Sequence, residues 1–194
     1  TMRLSSLDGL SKQLIGLTIK TIYRMATMPH PKKTKDYGTA WRILRPSSLT
    51  DQIFIKAQRI RTIQEKQEQK IGDTIASEFK GILNYAVMGL IQLELPPSEN
   101  DELSVEKVME LYNDKIAKAQ LLMLDKNHDY GEAWREMSQE SFVDLMLAKL
   151  QRIRQILQND GKTLVSEGID ANYYDIINYA IFGLILIEEG THKG

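Results

Sequence analysis

Asp175, Asn178 and Tyr179 are spaced three and one apart near the chain's C-terminal end, inside a segment that is otherwise apolar nearly all round. On a helix they share one narrow face, and polar groups in such a setting must find partners. Two chemistries suit the carboxylate. Asp175 can ligate Mg²⁺ through oxygen with Asp144 or Glu167 from neighbouring elements, which makes Asp175 and Asp144 the catalytic candidates and Asp144, Glu167 and Asp175 the metal ligands. Alternatively, Asp175 pairs with Arg152 or Arg135 and only holds helices together. A second cluster, Asp129, Tyr130, Gly131, Trp134 and Arg135, offers two aromatics for a base next to hydrogen-bonding groups, or simply caps the helix that follows. Lys149 and Arg152 add cations suited to phosphate.

These residues recur. With Asp36 placed on Asp129, about half the positions from 36 to 64 are identical to those from 129 to 157. Asp36, Tyr37, Trp41, Arg42, Asp51, Lys56 and Arg59 are the counterparts of Asp129, Tyr130, Trp134, Arg135, Asp144, Lys149 and Arg152. One residue of extra length later, Asn84-Tyr85-Ala86 falls on Asn178-Tyr179-Ala180 and Gly89 on Gly183. The place of Asp175 is taken by Gly81, so copy one lacks that acid unless Glu78, one turn earlier, substitutes.

Apolar residues recur at three and four with no strand-like alternation, so the expected fold is all-α. Each copy reads as three helices and one irregular loop. Copy two has helix one at about 104–124, capped by Ser104, a loop at 127–139, helix two at about 141–158 and helix three at about 171–188. Copy one has counterparts at about 4–27, 49–69 and 74–95, and the proline-rich stretch 96–100 is a linker. The expected halves are therefore 1–97 and 98–194, a tandem duplication of a three-helix unit packed about a pseudo-two-fold axis as one compact helical bundle.

On helix two of copy two, Ser141, Asp144, Lys149, Gln151 and Arg152 occupy an arc of about 160°, and the apolar residues gather opposite. These polar identities are shared with copy one. Retention favours a site, while an ion-pair network between the copies is the structural alternative.

The formal net charge is −1 and there are no cysteines. No global attraction to duplex nucleic acid follows, and disulfides, thiolate nucleophiles and cysteine zinc sites are excluded. No apolar run reaches the roughly 20 residues of a membrane span. The expected setting is soluble and cytoplasmic, with no membrane partner; further pairing into a homo-oligomer is left open.

The run Lys126-Asn127-His128-Asp129-Tyr130-Gly131-Glu132-Ala133-Trp134-Arg135, then Asp144, Lys149-Leu150-Gln151-Arg152-Ile153-Arg154, Ser166-Glu167-Gly168-Ile169 and Asp175-Ile176-Ile177-Asn178-Tyr179-Ala180 resembles the nucleotide modification associated domain family. The acid followed by Asn-Tyr-Ala is also similar to MazG-like all-α nucleoside triphosphate pyrophosphatases. Those enzymes hold Mg²⁺ with a Glu-x-x-Glu pair; here helix two of copy two has Asp144 and no such pair, while Glu65 and Glu68 of copy one have that spacing at the polar end of a helix. The resemblance implies a partner that is a nucleotide or nucleotide-like small molecule. The base would lie on Trp134 or Tyr130 and the phosphates on Arg135, Lys149 and Arg152. Mg²⁺ would be the cofactor if a phosphoanhydride is hydrolysed.

Overall fold

A computed structural model describes residues 39–68, 70, 72–95, 103–159 and 168–194. Five α-helices and two short 3-10 turns, with no strand, make up the described residues. In copy one, α1 spans Pro46–Lys66 and α2 spans Ile75–Glu94; in copy two, α3 spans Val105–Tyr130, α4 Gln139–Gln158 and α5 Ile169–Glu188. The 3-10 turns, Ala40–Ile43 and Ala133–Glu136, occupy equivalent places just before α1 and α4. The expected first helix of copy one, the linker, the boundary at 97, and Asp36, Tyr37 and Glu167 lie outside the described residues.

Local chemistry sets the helix ends. Ser104, Thr74 and Ser138 cap α3, α2 and α4 by accepting the amide hydrogens of Lys107, Ser77 and Ser141. Pro46 opens α1, where its missing N–H costs nothing. At the other end α1 stops at Lys66, with Gln67 in the left-handed region at φ 52°. Glu65 is therefore in the helix and Glu68 beyond it, so the Glu-x-x-Glu spacing does not lie on one helical face.

The largest departure from the sequence reading is the end of α3. Residues 125–130 were expected to leave the helix after Leu124, yet they continue it to Tyr130. No residue there breaks a helix. The first that can is Gly131, whose φ of 63° turns the chain. Asn127 also ties the last turn down, because its side-chain carbonyl accepts the Trp134 indole N–H at 3.1 Å.

Within each copy helix two packs on helix three: α1 on α2, and α4 on α5. Between copies α2 packs on α5 and α1 on α4, while α3 lies across α2 and α5. Residues of both halves, among them Phe79, Leu83, Phe142 and Tyr173, enter one hydrophobic core.

The pseudo-two-fold relation is visible in reciprocal contacts. A Cβ at Gly89 would lie 2.7 Å from the Tyr173 ring, and one at Gly183 would lie 2.9 Å from the Phe79 ring. Phe79 and Tyr173 are themselves equivalent, so each central helix puts an aromatic onto the other's glycine. The surface repeats the pattern: Arg154 pairs with Asp51 at 2.8 Å and its equivalent Arg61 faces Asp144 at 3.9 Å.

Candidate functional site

Three helices of copy two converge on Asp175. It projects from α5 with its side chain 12% exposed. Lys126 from the last turns of α3 donates to Oδ1 at 2.6 Å, and Lys149 from the middle of α4 meets Oδ2 at 2.6 Å. Each carboxylate oxygen thus has its own ammonium partner. The side chain of Lys126 is 56% exposed and that of Lys149 27%, so the cations stand on the solvent side of the acid. Tyr130 follows Lys126 by four residues, on the same face of α3, and is 77% exposed.

Copy one builds the same junction from a different turn. Glu78, buried with its side chain 5% exposed, receives Lys56 at 3.1 Å and forms a close ion pair with Arg59. Lys56 is the equivalent of Lys149. It reaches the deeper acid by lying across the backbone at Gly81, where a Cβ would be 2.6 Å from Lys56 Cε. In copy two the Gly81 position holds Asp175 and the Glu78 position holds Asn172, whose amide donates to the Gly168 carbonyl at 2.8 Å. One carboxylate has moved by a helical turn, and the glycine left behind gives the lysine its path. Arg59 additionally donates to the Asp73 carbonyl at 3.0 Å and faces the Asp73 carboxylate at 3.9 Å.

The other candidates are dispersed. Asp144 has its side chain 62% exposed and faces Arg61 of copy one; Asp51 takes the equivalent place against Arg154. Asp144 and Asp175 therefore have different partners, and among the described residues no three His, Asp or Glu side chains gather as a metal cluster. Asp175 pairs with two lysines where the sequence had suggested Arg152 or Arg135. Arg152 reaches Gln155 at 3.4 Å, and Asn178 is buried on the same helix as Asp175. Tyr179 packs at the edge of the core with its ring centroid 6.5 Å from that of Phe142. Asp129 is exposed and pairs with His128 at 3.1 Å.

Trp134 belongs to the core. It is 6% exposed, stacks on Phe182 at 4.4 Å with 7° between planes, and has the Arg135 guanidinium 4.4 Å from its ring centre. Arg135 donates to Glu132 at 2.9 Å and to Glu189 at 2.6 Å. In copy one, half-buried Trp41 packs against the core, and buried Arg42 bonds the Gln92 side chain and donates to the Leu95 carbonyl at 2.6 Å. Residues 95 and 189 are equivalent. Both arginines accordingly anchor their 3-10 turn to the end of helix three, which accounts for the repeated Ala-Trp-Arg without a ligand.

Lys126 was the site residue that sequence reasoning passed over, because it fell between the expected end of helix one at Leu124 and the loop expected from Asn127. Its signal was present: Lys33 holds the equivalent sequence position in copy one.

Fold and site define a duplicated all-α protein with a lysine and carboxylate junction in each half. A family model described as nucleotide modification associated domain 1 matches residues 33–93 and again 126–187. The chain belongs to that family, with two copies of its domain. No curated protein and no solved structure matches it. Among the described residues no helix is long and apolar enough to cross a membrane.

Proposed function

We propose that copy two is a nucleotide-binding site that serves nucleotide modification or salvage, with Lys126 and Lys149 as its phosphate-binding pair. The observation that carries this reading is the convergence of both ammonium groups on the two oxygens of Asp175, with Lys126 more than half exposed to solvent. Tyr130, exposed one turn beyond Lys126, is the aromatic placed to stack on the base. Trp134 keeps the end of α3 in position through Asn127.

Hydrolysis of a phosphoanhydride with Mg²⁺ is the reaction the sequence suggests for such a site. The described carboxylates do not fit the ion in this arrangement. Both oxygens of Asp175 are held by ammonium groups that a divalent cation would repel, and Asp144 faces Arg61.

A second reading has its own observation. The reciprocal pairs Arg154–Asp51 and Arg61–Asp144 support a non-enzymatic helical protein whose repeated polar residues join the two copies. A thermal-shift screen of nucleoside mono-, di- and triphosphates, with and without Mg²⁺, separates the two. Stabilisation by a nucleotide that is lost in Lys126→Ala and Lys149→Ala supports binding; stabilisation by none supports the structural reading.

A further inference from the structure

We infer that Asp175 is a built-in anion holding the place of the ligand's phosphate, so that copy two takes a metal-free phosphate group by exchanging one anion for another. This rests on the phosphate-binding reading of the same site.

The two lysines arrive from different helices and meet separate oxygens of one carboxylate, each at 2.6 Å. A phosphate group offers the same bridging geometry with more oxygens and up to twice the charge. Asp175 sits on a buried helix and is 12% exposed, whereas the lysines are the flexible and more solvent-open members. Exchange therefore proceeds by the ammonium groups turning outward to the phosphate. Asp175 competes with the ligand and gives each ammonium group a partner when none is bound.

In copy one the acid is held more firmly. Glu78 is deeper, at 5% exposure, and is gripped by the planar Arg59 guanidinium as well as Lys56. The Asp73 carboxylate lies a further 3.9 Å from Arg59. Lys33, the counterpart of Lys126, lies outside the described residues.

The test is calorimetric titration of the intact chain with inorganic phosphate at constant ionic strength, in wild type and in Asp175→Asn. The variant should bind phosphate about tenfold more tightly, equivalent to roughly 1.4 kcal/mol. The gain should be unaffected by Mg²⁺ and lost when Lys149→Ala is added. Equal or weaker phosphate binding in Asp175→Asn overturns the inference, as does binding of MgCl₂ alone that Asp175→Asn removes. If circular dichroism shows that Asp175→Asn does not fold, Lys126→Gln carries the test on an exposed side chain. It should weaken phosphate binding several-fold, and unchanged binding overturns the inference. Parallel titrations with nucleoside monophosphates keep the two ideas apart. A phosphate gain in Asp175→Asn with no nucleotide bound by any form upholds the exchange and defeats the nucleotide reading. Nucleotide binding to wild type that Asp175→Asn weakens does the reverse.

Discussion

The two halves solve one electrostatic problem in two ways. In both, a lysine from the middle of helix two meets a carboxylate of helix three, but in copy one the acid is Glu78 and in copy two it is Asp175, a turn later on the helix. The deeper acid is almost sealed and shares a guanidinium; the shallower one is bridged by two lysines, one of them more than half exposed. The packing that needs both copies is shared, while the junction that each half makes for itself differs in the depth of its acid and in the turn that carries it.

That comparison breaks most readily at Glu78. Glu78→Gln leaves Lys56 and Arg59 facing each other with no buried counter-charge, and should destabilise the fold by about 3 kcal/mol in urea denaturation. Asp175→Asn should cost about 1 kcal/mol, because Lys126 can turn into water. Equal losses would mean that the junctions are alike and the asymmetry is wrong.

The shared packing should respond symmetrically. Gly89→Ala and Gly183→Ala each drive a methyl into a buried aromatic ring and should each cost about 2 kcal/mol by the same measurement. A cost on one side only would remove the pseudo-two-fold spine.

A smaller difference is built into that spine. The Tyr173 hydroxyl pairs with Thr50 at 3.2 Å, whereas the equivalent positions, Phe79 and Val143, are apolar. Tyr173→Phe or Thr50→Val alone should cost about 1 kcal/mol, and the double variant little more than either. Burial raises the Tyr173 pKa, against a smaller opposite effect of its bond to Thr50. The folded state therefore keeps a proton that the unfolded chain releases near the ordinary tyrosine value of about 10. Its contribution is full below that pH and is lost as pH rises above it. Tyr173→Phe should make the alkaline loss of stability shallower, and an unchanged profile would remove this residue from it.

Least affected should be the pairs that link the copies at the surface. Asp51→Asn and Asp144→Asn, on side chains about 60% exposed, should each change stability by about 0.5 kcal/mol or less. A larger loss, read from the urea midpoint, would favour the non-enzymatic interaction reading.

The helices and their duplication were legible because helical periodicity and repeated identities are local properties of the chain. Gly89 and Gly183 could be seen to repeat, but the reason is an aromatic from another helix, which no local pattern announces. The family, too, was legible, in the run from Lys126 to Ala180. The end of α3 was misplaced because Asp-Lys-Asn-His reads as polar loop, although nothing in it breaks a helix and Gly131 is the first residue that does. Lys126 was missed as a consequence. Trp134 and Arg135 looked like ligand groups because they repeat; Trp134 instead stacks on Phe182 of helix three and Arg135 pairs with Glu189 at its end. Asp175 was singled out correctly as a buried acid, but its partners come from three helices whose approach only the fold supplies.

The central claim, one open junction and one closed one, is tested most directly by the stoichiometry of nucleoside monophosphate binding in calorimetry. One nucleotide per chain is predicted, lost in Lys149→Ala and kept in Lys56→Ala under conditions where both variants are folded. Two nucleotides per chain, or one that Lys56→Ala abolishes and Lys149→Ala leaves intact, would contradict it.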